Sequence, residues 1–352
     1  MPKASAAESA LVGLFHRATR TFRPPTLGHL RALAPGLLLS LVIALLAVRV
    51  RDATGIAALN PVVVALLVGL GIGAAVGRPA LLKPGMAFAV RPLLRAAIVL
   101  LGLQVTLGAL VSHGVGVIML AVAVVALTLP FTIWFGRMLG VEPALAQLIG
   151  TGTAICGASA IVAANQVTRG REEDVAYALA VITLCGTAAM ILYPLLMPLV
   201  GLDARTYGIW AGASVHEVVQ AVGAAAAGGE EAARSGTVTK LARVFLLAPA
   251  VMALGLWVGR GEADRTVKVA VPWFAFGFLA LVVVGSLGLV PAAAVRASRE
   301  AVPLMLAASV AALGLSTDLR ALRARGGAPL LLGIAASAFI ALLGLAGARL
   351  LG

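Results

Sequence analysis

His216 and Glu217 stand side by side in an otherwise apolar stretch from Tyr207 to Ala226, and Lys240 and Arg243 open the apolar stretch that follows. A charge in the middle of a membrane span costs roughly 2.5 to 3.5 kcal/mol on insertion scales, so groups found there are expected to handle an ion, a proton or a solute. Ser214 lies three residues before Glu217 and Gln220 three after, which puts all three on one face of a continuous helix. A carboxylate in that company, with His216 beside it, could carry a proton or Na⁺, or neutralise a basic group from the next span. Lys240 and Arg243, three apart, also share a helical face. With both turned inward and His216 neutral, the cluster holds one surplus positive charge and favours an oxyanion. Both cations lie within two turns of their span's expected outer end, so snorkelling to the headgroups is the alternative.

A second run, Ile149 to Ile161, contains Gly150, Gly152 and Gly157 together with Thr151, Thr153 and Ser159. Each glycine costs a helix interior up to ~1 kcal/mol relative to alanine, and the hydroxyls can satisfy a broken backbone. The run predicts an unwound helix at mid-membrane, where a half-helix N-terminus would present N–H groups to an anion. Close packing through small residues is the competing explanation. Asn165 and Gln166, farther along, extend the polar path or mark its wet end.

The elements that carry these residues are set by composition. Mean hydropathy is +1.05, with 61% apolar and 12% charged residues, where soluble chains have about a quarter charged. Runs of about 20 apolar residues can cross a ~30 Å hydrocarbon core, and eleven occur, at roughly 33–49, 60–77, 94–111, 114–136, 144–166, 175–200, 206–226, 238–258, 271–290, 302–318 and 328–350. The fold expected is an all-α polytopic membrane protein with about 11 transmembrane helices and at least one discontinuous helix. Whether 144–166 and 206–226 span fully or turn back stays open. Residues 1–32 form a basic tail and 33–352 the transmembrane domain.

With the N-terminus inside, 17 Lys and Arg fall on the cytoplasmic side and 8 opposite, leaving Lys240 and Arg243 within a span. That asymmetry predicts a multi-pass protein of the plasma (cell inner) membrane with a cytoplasmic N-terminus. It also accounts for the net charge of +13 through anionic lipid, without a nucleic-acid partner. Walker, H-E-x-x-H and G-x-S-x-G runs are lacking, which argues against ATP-driven pumping and against an enzyme. Cys156 and Cys185, both in predicted spans with no histidine close by in sequence, make neither a disulfide framework nor a metal site. No cofactor is expected. Small-residue faces permit a homodimer. Arg91 and Arg95 read as membrane-edge anchors, Glu172, Glu173 and Asp174 as a helix cap, and Asp318 as a salt-bridge partner of Arg320, Arg323 and Arg325.

An internal repeat aligns Leu101–Leu110 with Leu313–Leu322 at an offset of 212, with six of ten positions identical. On the eleven-span count its copies run in opposite directions, the trace of an inverted-topology repeat. A weaker match, Cys156-Gly-Ala-Ser159 with Ala211-Gly-Ala-Ser214, conflicts with that symmetry unless one segment is re-entrant.

Three segments, Leu148–Ala163, Trp210–Gln220 and Thr239–Val244, resemble the YeiH-type family, whose members carry a sulfate-exporter label assigned by inference. The resemblance spans about 34–350. It implies kinship with inverted-repeat secondary transporters, among them sodium/proton antiporters and bile-acid symporters, and a mobile core moving against a panel. The expectation is a secondary transporter of a small anion such as sulfate, with Thr151, Thr153, Ser159, Ser214, Gln220, Lys240 and Arg243 binding it and Glu217 and His216 carrying a coupling proton. A cation/proton antiporter or a non-transporting membrane subunit is the alternative.

Overall fold

The computed structural model describes residues 27–54, 61–77, 79–258, 272–317 and 327–351. The tail to residue 26, Asp318 and the basic run Arg320 to Arg325 lie outside the described residues. Among those described, the chain is helical throughout: α1 (Leu27–Thr54), α2 (Pro61–Val76), α3 (Lys83–Gln104), α4 (Leu107–Met138), α5 (Pro143–Ala154), α6 (Ala158–Thr168), α7 (Glu172–Val200), α8 (Ala204–Ser214), α9 (Val218–Ala227), α10 (Glu230–Phe245), α11 (Leu247–Trp257), α12 (Trp273–Ser286), α13 (Ala292–Ser316) and α14 (Ala328–Leu351). Seven of these stretches are long and apolar enough to cross a membrane, counting α10 and α11 as one, while α2 and α12 are shorter apolar helices. Large apolar side chains such as Leu46, Ile118, Met119, Leu195 and Leu342 face outward. An apolar exterior of that extent belongs in lipid. The protein is an all-α polytopic membrane protein.

Local chemistry sets the helix ends. Glu142 accepts from the Leu145 N–H, with Pro143 at the first position of α5. Asp203 does the same for α8 through Thr206. Glu172, Glu173 and Asp174 occupy the first turn of α7, where Asp174 accepts from the Arg171 N–H, as the acidic run predicts.

The two segments left open by the sequence both turn back. In the first, Gly157 adopts φ +74° between α5 and α6, and a Cβ on Gly170 just beyond α6 would lie 3.4 Å from Ala144 at the start of α5. In the second, Val215 to Glu217 separate α8 from α9. The Tyr207 hydroxyl, early in α8, donates to the Ala224 carbonyl late in α9 at 2.7 Å. Each pair is therefore a re-entrant hairpin, and α7 carries the chain from the mouth of one to the mouth of the other. The hairpins enter from opposite faces and their tips meet, Gly157 lying against Glu217. This removes the conflict posed by the weaker sequence match, because two hairpins from opposite faces are inverted with respect to each other. The discontinuous element expected at 144–166 is present, and a second lies at 206–226.

The inverted repeat has a close structural counterpart. A Cβ on Gly102 in α3 would sit 2.5 Å from the Phe278 carbonyl of α12, and one on Gly314 in α13 would sit 2.6 Å from the Leu66 carbonyl of α2. Both members of each pair differ by the offset of 212 read from the sequence. Gly69 and Gly73 extend the α2–α13 contact against the Ala311 and Leu315 carbonyls. Such backbone-to-backbone packing is how helices associate where lipid supplies no hydrophobic drive. α1, α2, α3, α12 and α13 form one body, a panel. The hairpins pack with α4, α7, α10, α11 and α14 as the other, a core.

Gly314→Ala should force α2 and α13 apart and destabilise the fold by about 1–3 kcal/mol, with Gly102→Ala acting similarly on the other half; thermal unfolding in detergent that leaves both unchanged would refute these contacts. Asp203 lies outside the membrane segments, and the Thr206 N–H holds its carboxyl below the usual range. A depressed carboxyl stabilises fully above its unfolded-state pKa and loses that contribution as pH falls through the folded value. Asp203→Ala should therefore cost about 1 kcal/mol near neutrality, and its gap from the parent protein should close in acid, as pH-resolved melting would record.

Candidate functional site

The two hairpin tips are tied together by α10. Lys240 and Arg243 are both 0% exposed, and neither snorkels. The reason is that the span α10–α11 runs from Glu230 to Trp257, so these residues lie near its middle rather than near its outer end. Lys240 Nζ donates to the carbonyls of Ile155 at 2.9 Å and Val215 at 2.8 Å, and to that of His216. Arg243 donates to Ala154 at 3.0 Å, Thr153 at 2.6 Å, Gly212 at 3.1 Å and Val215 at 2.9 Å. A helix leaves its last four carbonyls without internal partners. Those of α5 are all accounted for: Thr151 accepts from Ile155, Gly152 from Gly157, and Thr153 and Ala154 from Arg243. The two cations thus bind the C-termini of α5 and α8, with all three lysine protons engaged.

Glu217 sits where α9 begins. It caps that helix, its side chain taking the Gln220 N–H while its own N–H donates to Gln220 Oε1 at 3.3 Å. The break at the tip separates it from Ser214, so the single helical face expected for Ser214, Glu217 and Gln220 does not form. Thr183 of α7 donates to Glu217 Oε1 at 3.2 Å. Gln220 turns to α7, donating to the Thr183 carbonyl at 3.0 Å and to Thr187 Oγ1 at 3.1 Å. Gly186 makes that approach possible, since a Cβ there would lie 1.8 Å from Gln220 Oε1. Ser214 is buried between Tyr193 Oη at 2.9 Å and the Trp210 carbonyl at 2.5 Å. His216 faces α14, with Nε2 2.9 Å from Ser337 Oγ, and its Nδ1 is buried without a partner.

A cavity of about 560 Å³ lies beside the tips, between panel and core. Arg91, Arg95, Ser159, Thr183, Glu217, Ser316 and Thr317 give it polar groups, and Cys156 reaches its wall. It opens toward the face holding the mouth of the first hairpin, where α3 and α12 start and α13 ends. The N-terminus of α6 meets it without a side-chain cap, so the Ala158 and Ser159 N–H groups have no partner within that helix. Arg95 lies over the Phe274 ring at 5.7 Å.

Of the residues singled out from sequence, Ser159 and Glu217 line this cavity. Thr151 is buried and donates to the Gln147 carbonyl at 2.7 Å. Thr153, Ser214, His216, Gln220, Lys240 and Arg243 are also buried away from the cavity. The residues missed are Arg91 and Arg95, read from sequence as edge anchors, and Thr183. Their one sequence signal is Pro92 between arginines four apart. Pro92 lies in a π-helical turn, Ala89–Leu93, a distortion common at functional sites.

Lys240→Met should leave three carbonyls without a donor in a buried tip and destabilise the protein by ~3 kcal/mol or more. In a Cys185→Ala background it should also speed maleimide labelling of Cys156; labelling and melting that match the parent protein would contradict the clamp.

The family model described as conserved hypothetical protein 698 matches residues 35–333. Curated relatives are similar over nearly their whole length. A UPF0324 membrane protein of Agrobacterium fabrum is 38% identical, covering 91% of this chain and 92% of its own. One of Pseudomonas aeruginosa is 36% identical, covering 87% and 91%, and the UPF0324 membrane protein TauZ of Paracoccus denitrificans is 35% identical, covering 93% and 98%. Shared identity at this level along both helix-rich bodies makes the chain a member of the conserved hypothetical protein 698 family, the UPF0324 membrane proteins.

Proposed function

We propose that this protein is a secondary transporter of a small oxyanion, sulfate or a sulfonate, coupled to protons through Glu217. The observation that carries the reading is the composition of the cavity wall, in which two arginines, an uncapped helix N-terminus and several hydroxyls face a single carboxylate. With Glu217 ionised, the charged side chains of the wall sum to one positive charge; protonation raises this to two. Anion and proton then favour each other's binding, since any coupling between two ligands is reciprocal. Lys240 and Arg243 act differently from the sequence expectation: they hold the tips in place and leave substrate contact to Arg91, Arg95 and Ser159. The resemblance to inverted-repeat transporters and the division into panel and core support movement at the seam between them.

Orientation follows from the same hairpins. Counting them as returns moves Arg169 and Arg171 to the inner side and Arg205 to the outer, so the asymmetry rises from 17 against 8 to 18 against 7. This supports a cytoplasmic N-terminus in the plasma membrane and a cavity open to the cytoplasm. A cation/proton antiporter would also use Glu217, but the two arginines in the wall oppose a cation there.

Uptake of labelled sulfate into proteoliposomes should be stimulated by a pH gradient acid on the substrate side. Glu217→Gln, which mimics the protonated carboxyl, should retain sulfate binding and lose its pH dependence, while Arg95→Gln should raise KM by about tenfold, ~1.4 kcal/mol. Flux driven by Na⁺ or K⁺ gradients and indifferent to sulfate and methanesulfonate would overturn the anion reading.

A further inference from the structure

A second cavity, about 200 Å³, lies at the other end of the seam between panel and core. Its wall comprises Gln104 and Val105 where α3 ends, Arg205 and Ile209 of the second hairpin, and Arg234 and Ser235 of α10, with Glu231 also contributing. These elements meet at the face holding the mouth of the second hairpin, where Arg205 Nη2 donates to the Leu351 carbonyl at 3.2 Å and Arg349 reaches the Val200 carbonyl. The larger cavity opens to the opposite face.

Three nitrogens in this wall are buried and without a hydrogen-bond partner: Gln104 Nε2, Arg205 Nε and Arg234 Nε. They make up half of the unpartnered buried side-chain atoms among the described residues. Gln104 is 7% exposed, so water reaches it poorly. A buried donor left unpaired is destabilising, more so where it is charged, and three around one small cavity call for a common acceptor. Two neighbouring polar groups are engaged elsewhere. Arg234 pairs with Glu230 through Nη2, and the Ser235 hydroxyl donates to the Arg205 carbonyl at 3.1 Å. Two arginines against Glu231 leave the lining with one net positive charge.

We propose that this cavity is a second anion site, taking one tetrahedral oxyanion group on the opposite side of the membrane from the first. The anion would accept from Gln104 of the panel and from Arg205 and Arg234 of the core, bridging the two bodies at the end of their seam that is closed around the smaller volume. A free sulfate and a phosphate headgroup share this chemistry. Binding there needs no transport cycle, so the site stands or falls separately from the transport reading.

The test is equilibrium binding of labelled sulfate to the full chain in nanodiscs at constant ionic strength, made either with phosphatidylcholine alone or with added phosphatidylglycerol. Arg95→Gln is placed in every sample, so that the first cavity contributes little. In phosphatidylcholine, Gln104→Leu and Arg234→Gln should each weaken the remaining binding at least fivefold, with melting temperatures close to that of the Arg95→Gln parent. Competition from phosphatidylglycerol would identify the headgroup as the natural occupant of the same site. Sulfate binding unchanged by both substitutions, or a loss that chloride binding reproduces to the same degree, would overturn the proposal. Sulfate flux in the unsubstituted protein is read in parallel: flux without the outer binding component sinks only the second site, and the binding component without flux sinks only the transport reading.

Discussion

Two cations sealed inside the protein, Lys240 and Arg243, determine how the rest of it can be arranged. Removing an ion from water costs several kcal/mol even after the surroundings relax, so each must be surrounded by acceptors of good geometry. The acceptors here are backbone carbonyls at the ends of α5 and α8, and each helix end carries roughly half a negative charge. Two such ends offset about one of the two positive charges, and the direct hydrogen bonds from the carbonyls solvate both cations. Separating the hairpin tips would strand both the charges and the carbonyls. The tips are therefore bound as one unit, and the movement that the proposed transport function requires would fall at the seam between panel and core.

This arrangement divides the basic residues by task. Those at the tips are saturated by the backbone and build the site. Arg91 and Arg95 keep access to the open cavity and are available to a solute. The acidic Glu217 serves both places, because it caps α9 and also faces the cavity. A change in its protonation is thus felt at a helix terminus and in the cavity potential together.

Composition and apolar run lengths made the membrane class and the helical segments legible, and Leu101–Leu110 against Leu313–Leu322 exposed the inverted repeat. The glycines at 150, 152 and 157 marked the first break, and Gly157 is indeed where the chain reverses. What could not be read was reversal itself: a broken span and a hairpin have the same hydropathy, and the difference rests on long-range contacts such as Tyr207 with Ala224. The direction of Lys240 and Arg243 was hidden for a related reason. Residues 230–237 are polar, which looks like a membrane edge in sequence. In the fold, Ala232 and Gly236 are buried against the second hairpin. Arg91 and Arg95 precede an apolar run, which reads as a membrane edge in sequence; in the fold they lie within and just after the π turn Ala89–Leu93 and line the larger cavity.

The paired contacts of Gly102 with Phe278 and Gly314 with Leu66 place two helix pairs, α2–α3 and α12–α13, on one inverted plan. Two helix pairs built on one plan, inverted, need not meet the same surroundings, and here they do not: one end of the seam encloses about 560 Å³ and the other about 200 Å³. Exchanging the shapes of the halves would exchange the sizes of the two openings and leave the glycine contacts as pivots. Under the transport function proposed above, the duplication would let a single interface serve two states, the second related to the first by the two-fold axis of the repeat.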